Sequence, residues 1–389
     1  MLKFIHCVTD EKFTRVIIDE FEFLNGRCIS KYVLVTRRPQ REFRYISNLK
    51  NIEIIETRDF QKYIESEKCD YVILHNFKSL PCGLTAKIPK DIRVVWFSWG
   101  MDIYGKVMNK PFVYIPNMYH EETQKLIKPT FKERLQRIKG WLKRYLHKNI
   151  IIKAVKRIDY YSGVIPEEYG MMQRLSFFRA KPVDFRYASP YQGIELSVLD
   201  EEAPKLGNDI LIGNSGDPRN NHADIFMKLK DIDLSNRKII VPLSYAGTKR
   251  YREQIKALGK KLWGDAFFAI ENFMPLQEYE KVISSCGFRI FGQERQQAMG
   301  NIGIALRTGC KVFVYKSSII YKHFEKYQIK MYSIDEDLNS EELKSLPSRE
   351  DTYLNRKRAI ERSLSSKQQE RLYRLIDYFE EEKNNNNKN

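Results

Sequence analysis

The stretch Leu211–Asp217 reads LIGNSGD and decides how the second half of the chain is interpreted. Its first residues continue a short apolar run that is typical of a buried strand, and Gly213 ends that run. Pro218–Asn221 then leads into a helical pattern. Because two glycines let the backbone turn sharply and approach a ligand closely, the stretch predicts a strand–loop–helix unit of an α/β sheet.

The loop itself has two interpretations. Backbone N–H groups and polar side chains at the start of a helix can hold phosphate oxygens, and the helix dipole favours that charge. Alternatively, the loop is an ordinary turn in which Asn and Asp act as caps. The residues alone leave both interpretations open. The candidate binding residues are Gly213, Asn214, Ser215, Gly216 and Asp217.

Apolar runs alternate with amphipathic segments on both sides of this loop, as in parallel sheets with helical crossovers. Strands are predicted at 2–8, 31–36, 52–56, 70–75, 92–97, 158–164, 209–213, 238–243, 267–271, 287–291, 311–315 and 330–334. The main predicted helices are 12–25, 60–68, 222–229, 248–262, 276–285, 302–308, 319–326 and 367–382. Two such alternations predict two doubly wound sheets.

The periodicity is interrupted at 185–206, where Pro, Gly and Asp indicate a linker. The sequence therefore predicts an α/β protein with two Rossmann-like domains that face each other across a cleft. We expect a first domain at 1–190, a second at 207–365, and a helix with a disordered tail at 366–389. Ligands of such sheets bind beyond the carboxyl ends of the strands, so the loops there are the candidate sites.

A second loop of this kind is Gln293–Gly303, which reads QERQQAMGNIG. It follows a predicted strand and opens a predicted helix at 302, an arrangement that suits a diphosphate held by backbone amides. A solvated polar loop is the alternative. Neither loop has the spacing of a Walker or dinucleotide-binding motif. The candidate residues here are Arg295, Gln296, Gln297, Gly300, Asn301 and Gly303.

Three residues of the first half lie on or just after predicted strands and are candidate proton acceptors. Asp102 lies in WFSWGMDIY, just beyond an apolar strand, where aromatic neighbours can raise the pKa of a carboxyl. Its alternative role is a helix cap beside a packed Trp. His75 and His6 also lie on strands, although a lone His is more often a packed, hydrogen-bonded residue.

The chain is strongly basic, with a formal net charge of +17, which favours anionic partners. Residues 128–157 hold eleven Lys or Arg and one Glu, with apolar residues at helical spacing. Trp141, Lys143 and Arg144 mark this segment as a membrane-surface helix. The alternative is a solvated helix packed on the first sheet. No nucleic-acid-binding motif is recognised.

Metal and cofactor signals are weak. The pairs Asp231/Asp233 and Asp335/Asp337 superficially match a carboxylate pair that holds a divalent cation, but both lie in charged stretches typical of solvated turns. We therefore predict neither a metal nor a cofactor.

Several of these motifs resemble those of the 4-acetamido-4,6-dideoxygalactose (Fuc4NAc) transferases, which build the lipid-linked repeat of enterobacterial common antigen. The likeness lies in ILIGNSGD (210–217), VPLSY (241–245), RQQAMGNIG (295–303) and WGMDIY (99–104). His6, His75 and the stretch 185–189 fall where similar residues occur, and Ser244 and Tyr245 join the candidate donor site. The basic stretch 106–157 is longer than in the family, which leaves the acceptor open.

The resemblance implies an inverting, metal-independent glycosyltransferase of the glycosyltransferase-B type. It implies a dTDP-linked deoxyamino-sugar donor and a polyprenyl-diphosphate-linked saccharide acceptor at the cytoplasmic face of the bacterial inner membrane. Under this hypothesis the loops of the second half hold the nucleotide diphosphate, and a first-domain base deprotonates the acceptor, with Asp102 preferred over His75 and His6. Two rival hypotheses are a non-hydrolysing sugar-nucleotide epimerase and a non-catalytic nucleic-acid-binding protein.

Overall fold

The chain forms two compact units, each assembled from separate stretches of sequence. The computed structural model describes residues 1–11, 13–24, 26–39, 42–48, 51–107, 112, 118–187, 204–234 and 236–386. The first unit comprises Met1–Ile115, Arg134–Gln192 and Ser365–Asn389, and the second comprises Pro116–Glu133 and Gly193–Leu364. Most of the predicted linker, 188–203, lies outside the described residues.

Each unit holds one parallel sheet with the same winding. The strands are β1 (Leu2–Cys7), β2 (Cys28–Thr36), β3 (Ile52–Glu56), β4 (Tyr71–His75), β5 (Arg93–Phe97), β6 (Tyr160–Ser162), β7 (Lys181–Pro182), β8 (Ile210–Ile212), β9 (Ile239–Pro242), β10 (Phe267–Ile270), β11 (Phe288–Phe291), β12 (Lys311–Val314) and β13 (Tyr332–Ser333). The first sheet has the order β3-β2-β1-β4-β5-β6-β7, and the second has β10-β9-β8-β11-β12-β13. Both orders reverse beside their first strand, as in Rossmann folds, so the prediction of two Rossmann-like domains is confirmed.

Helices connect these strands. They are α1 (Thr14–Glu22), α2 (Phe60–Glu67), α3 (Cys82–Thr85), α4 (Glu121–Leu126), α5 (Phe131–Leu146), α6 (Lys148–Lys156), α7 (Glu167–Met172), α8 (His222–Leu229), α9 (Lys249–Trp263), α10 (Leu276–Ser284), α11 (Met299–Thr308), α12 (Ile319–Lys326), α13 (Arg349–Ser363) and α14 (Ser365–Asn386). Among the described residues, no helix is long and apolar enough to cross a membrane.

The core of the first unit explains why the last helix belongs to it. Phe379 on α14 stacks on Tyr71 with ring centroids 4.4 Å apart, and Leu372, Leu375 and Ile376 are buried in the same cluster. The sequence predicted a helix to residue 382 followed by a disordered tail, yet the helix continues to Asn386. Polar contacts at Glu382 and Lys383 with the first sheet hold this last stretch in place.

Other differences from the sequence prediction have local causes. The basic segment is two helices rather than one, with His147 between them. The helix α13 was not predicted because its charged residues run around most of its surface. It is held by polar contacts: Asn355 bonds both backbone groups of Lys330, and the Arg356 guanidinium donates to the Arg307 carbonyl.

Candidate functional site

The loop after β8 is held in shape by a buried carboxamide that sequence reasoning missed. Asn220 is fully buried, and its Nδ2 donates to the carbonyls of Ser215 and Asp217, each at 3.0 Å. Its Oδ1 accepts the backbone N–H of Asn214 at 3.2 Å. Gly213 has a φ of +72°, and a Cβ there would lie 2.9 Å from Asn220 Oδ1. The loop is therefore a preformed turn that excludes larger residues.

The loop after β11 reaches across to this turn, because β11 is hydrogen-bonded to β8 in the sheet. Gln293 Nε2 donates to Asn214 Oδ1 at 3.2 Å and also to Asn220 Oδ1. Gln297 Nε2 donates to the same Asn214 oxygen at 3.2 Å. Arg295 donates to Gln297 Oε1 at 2.8 Å and lies 3.8 Å from the Asp217 carboxylate. The structure thus joins the two predicted loops into one polar cluster.

The loop after β9 completes the cluster. Asn214 Nδ2 donates to the Tyr245 hydroxyl at 3.2 Å, and the Gly216 N–H donates to the Tyr245 carbonyl at 2.9 Å. Tyr245 is 52% exposed and Ser244 is half-buried. A Cβ on Gly247 would lie 1.9 Å from the Gly216 carbonyl oxygen, so glycine is required for this approach.

The helix α11 opens beside these loops. It begins at Met299, three residues earlier than predicted, so Gly300 and Asn301 lie in its first turn and Gly303 lies inside it. Gly300 is exposed, with no atom within 4 Å of an added Cβ. The first N–H groups of a helix have no partner within the helix. This end therefore suits an anion, whereas Gln296 is largely buried behind it.

The candidates of the first unit are enclosed. His6 Nδ1 and His75 Nε2 are 2.9 Å apart, and both rings are fully buried. The outer nitrogens bond Ser30 Oγ at 3.1 Å and the Tyr187 hydroxyl at 2.8 Å. Burial lowers the pKa of His6 to about 3 and, helped by His6, lowers that of His75 well below its usual value. Both rings are therefore neutral and saturated with partners.

Asp102 is also enclosed, with 1% of its surface exposed. Burial raises the pKa of its carboxyl, although hydrogen bonds from Phe77, Trp96, Trp99 and its own backbone oppose the shift. Four N–H donors contact the carboxylate: the Trp96 indole at 2.8 Å and the backbone of Phe77, Trp99 and Ile103 at 2.8, 3.0 and 3.2 Å. These contacts support a structural role for Asp102 at the end of β5. Its role as a base, like those of His75 and His6, stays a prediction.

The basic helix α5 carries an exposed apolar stripe. Phe131 is 77% exposed, Ile138 60% and Leu146 71%. Trp141 and Tyr145 stack on each other with centroids 5.5 Å apart and are also exposed. Lys143 is exposed on the same helix, whereas the side chain of Arg144 lies outside the described residues.

The sequence did not single out two further residues of the second unit, His120 and Glu294. His120 lies ahead of α4 in a stretch without periodicity, and its ring contacts Glu294 in the loop after β11. The only available signal was the position of Glu294, directly after a predicted strand.

Comparison with known proteins now gives the class of this chain. Residues 191–360 match the family described as 4-alpha-L-fucosyltransferase, glycosyl transferase group 56. The protein is a glycosyltransferase. The matched span is less than half of the chain, but it contains all three motifs of the second half on which the family resemblance rests, so that resemblance is confirmed. The WGMDIY motif lies outside it.

Solved structures confirm the glycosyltransferase-B fold of this enzyme. Sucrose-phosphate synthase from Thermosynechococcus elongatus aligns with a TM-score of 0.62 at 8% identity, covering 97% of this chain and 99% of that one. HepE from Anabaena, solved with UDP, gives 0.62 at 8% identity, with 97% and 100% covered. The lipopolysaccharide outer core galactosyltransferase WaaB gives 0.56 at 13% identity, with 97% and 99% covered. At these identities the likeness concerns the fold alone.

Proposed function

We propose that this glycosyltransferase moves a Fuc4NAc-like deoxyamino sugar from a dTDP-linked donor to a polyprenyl-diphosphate-linked saccharide, with inversion, in bacterial surface-polysaccharide synthesis. The donor part of this proposal rests on one observation, the polar cluster of three loops beside the open end of α11. The family match supports the sugar class, and a neighbour solved with UDP supports a nucleotide donor.

The cluster has the chemistry that a leaving diphosphate requires. The first-turn amides of α11 supply donors, and the buried Arg295 guanidinium, which contacts Gln297 and Asp217, adds positive charge to the cluster. Asn214 is fixed by Gln293 and Gln297, so its amide is held in one orientation before any ligand arrives. Fixed donors of this kind stabilise developing negative charge without reorganisation. We assign to them the diphosphate, and to Ser244 and Tyr245 the border of the nucleotide or sugar.

A thermal-shift comparison of nucleoside diphosphates tests the donor site. We expect dTDP at a hundredfold excess over its Kd to stabilise the protein by about 2.7 kcal/mol relative to the ligand-free state. UDP or GDP at the same concentration should stabilise it less. Gly300→Leu should weaken that stabilisation, because its side chain would occupy the open helix end. Gly170→Leu, at another exposed helical glycine with open space around it, is the matched control. Equal stabilisation by all three nucleotides would contradict the dTDP assignment.

A donor-only incubation separates transfer from epimerisation. If dTDP-Fuc4NAc is supplied without acceptor, the proposal predicts that its NMR spectrum stays unchanged over the time in which an acceptor is glycosylated. Appearance of an epimeric nucleotide sugar would contradict the transferase hypothesis and support the epimerase hypothesis.

The helix α5 supports a second part of the proposal, which is peripheral attachment to the cytoplasmic face of the inner membrane. Exposed Phe131, Ile138 and Leu146 give it an apolar face, and Trp141 suits the headgroup boundary. Basic residues near an anionic surface contribute about 1 kcal/mol each. The proposed partners are therefore a nucleotide sugar, a lipid-linked saccharide and an anionic membrane surface, without nucleic acid.

Vesicle sedimentation tests this attachment. Binding to vesicles that contain anionic phosphatidylserine should weaken about tenfold or more in Lys139→Glu/Lys143→Glu and in Trp141→Ala. The matched control is Lys260→Glu/Lys261→Glu, which makes the same charge change on α9. An equal loss of vesicle binding in the control would mean that net charge alone determines binding. No loss in any variant would contradict the membrane proposal.

A further inference from the structure

A short segment of the second unit places His120 against the loop after β11. Residues 118–126 precede α5 in sequence, yet they belong to the second unit. The Asn221 side chain accepts the His120 N–H at 3.0 Å and donates to the Met118 carbonyl at 3.1 Å. The Asp224 carboxylate accepts two N–H groups at the start of α4, at 2.8 and 2.9 Å. The backbone at His120 is therefore fixed.

The imidazole of His120 is fixed as well. Its Nε2 lies 2.8 Å from Glu294 Oε1, and its ring stacks on Tyr315 with centroids 4.0 Å apart and an angle of 12°. The Ser317 hydroxyl lies 2.8 and 2.9 Å from the two Glu294 oxygens and holds the carboxylate from the other side. Glu294 follows Gln293, whose side chain turns instead toward Asn214. The histidine thus adjoins the polar cluster.

The second ring nitrogen is available. Among the described residues, no group hydrogen-bonds to His120 Nδ1, and 32% of the side chain is exposed. Because Glu294 accepts a hydrogen bond from Nε2–H, the neutral ring carries its lone pair on Nδ1. A carboxylate that sets the tautomer of a histidine in this way prepares the opposite nitrogen to take a proton.

The electrostatic surroundings support that protonation. Partial burial lowers the pKa of His120, but the hydrogen bond and charge of Glu294 raise it, as do the charges of Asp224 and Asp335. The net direction is upward from the usual value. The enclosed pair in the first unit differs, since burial keeps His6 and His75 neutral.

We propose that His120 Nδ1 is the proton acceptor in glycosyl transfer and that Glu294 is its positioning residue. This inference rests on the proposed transferase function. In the step, the acceptor oxygen bonds to the anomeric carbon while the bond from that carbon to the phosphate oxygen breaks. The electron pair leaves with the nucleoside diphosphate, and the hydroxyl proton goes to Nδ1. The base then lies in the unit that holds the donor.

Two variants with dTDP-Fuc4NAc and a prenyl-diphosphate-linked disaccharide test the assignment. His120→Ala should lower kcat by about 10²- to 10⁴-fold and leave the stabilisation by dTDP unchanged. In the unmodified enzyme, activity should fall as the pH drops through a pKa above the usual histidine value. Glu294→Gln should move this acidic limb to lower pH, whereas Glu336→Gln, which removes a carboxylate paired with Lys316, should not.

NMR of ¹⁵N-labelled histidine keeps the inference testable without turnover. We expect the Nε2–H tautomer for neutral His120 and a lower pKa in Glu294→Gln. The opposite tautomer, or a kcat within about threefold of normal in His120→Ala, would overturn the inference. Activity that is lost as the pH rises would also overturn it, because His120 would then act as a cation that binds phosphate. If dTDP neither binds nor serves as donor carrier while the tautomer and pKa are as expected, the proposed function fails instead.

Discussion

The carboxyl edges of the two sheets have the same topology but present their polar residues in opposite ways. At the first edge, His6, His75 and Asp102 are at most 1% exposed and their polar atoms are engaged. At the second, Tyr245 is 52% exposed and His120 keeps a ring nitrogen without a partner among the described residues. Position at a strand end therefore indicates where chemistry can occur, but hydrogen-bond partners decide which side chains are available for it.

The largest expected effect is a loss of stability at the enclosed edge of the first sheet. Asp102→Asn places an amide against four N–H donors that now reach a carboxylate. We expect a loss of about 4 kcal/mol in the free energy of unfolding, since hydrogen bonds to buried charges are the costly ones to remove. Urea denaturation measures this loss. Lower turnover at an unchanged unfolding free energy would instead support Asp102 as the base.

The next effect concerns how the free energy of unfolding of the first unit depends on pH. Glu168 is fully buried beyond β6, and burial raises the pKa of its carboxyl to about 7. A carboxyl whose pKa is raised on folding destabilises the fold as the pH rises from about 4.5 to about 7. Glu168→Gln should therefore be more stable than the unmodified protein by about 3 kcal/mol at pH 8. Chemical denaturation at pH 4 and pH 8 measures the difference, which should vanish at the acidic pH.

The smallest effect tests the open edge. Asn220→Ala removes the carboxamide that shapes the loop after β8. We expect dTDP binding to weaken by about 2 kcal/mol, or about 30-fold, because the loop loses its preformed turn. Titration calorimetry measures the affinity. Asn51→Ala, which removes a carboxamide bonded to Glu22 at the surface of the first unit, is the control; an equal loss there would contradict a local role for Asn220.

The sequence predicted what depends on local pattern. Each apolar run proposed as a strand overlaps an observed one, and α8 and α12 have the predicted bounds. The two-residue strand β7 was missed because Lys181 and Pro182 carry no apolar signal. Helix α13 was missed for a related reason, since Ala359 and Ile360 are its only buried apolar residues and buried polar residues also hold it.

Within the candidate site, the limit was sequence separation. The loops at 213–217 and 295–303 could be placed together because their strands were predicted in the same sheet. Asn220 looked like part of a helix lead-in, and only its contacts show that it shapes the loop. His120 lies 101 residues from Asn221, so no local period could bring it to this edge. Long-range polar contacts of that kind have no signature in one sequence.

The division of the chain also limits how the protein can be cut. The backbone passes from one unit to the other four times, at 115–116, 133–134, 192–193 and 364–365. A fragment that starts at the predicted linker, 185–206, would lack residues 116–133, and Asp224 would lose the two N–H groups that it caps. A fragment that ends before α14 would uncover Tyr71. Neither unit is a contiguous module, so fusion, truncation or exchange of halves would have to respect all four crossings.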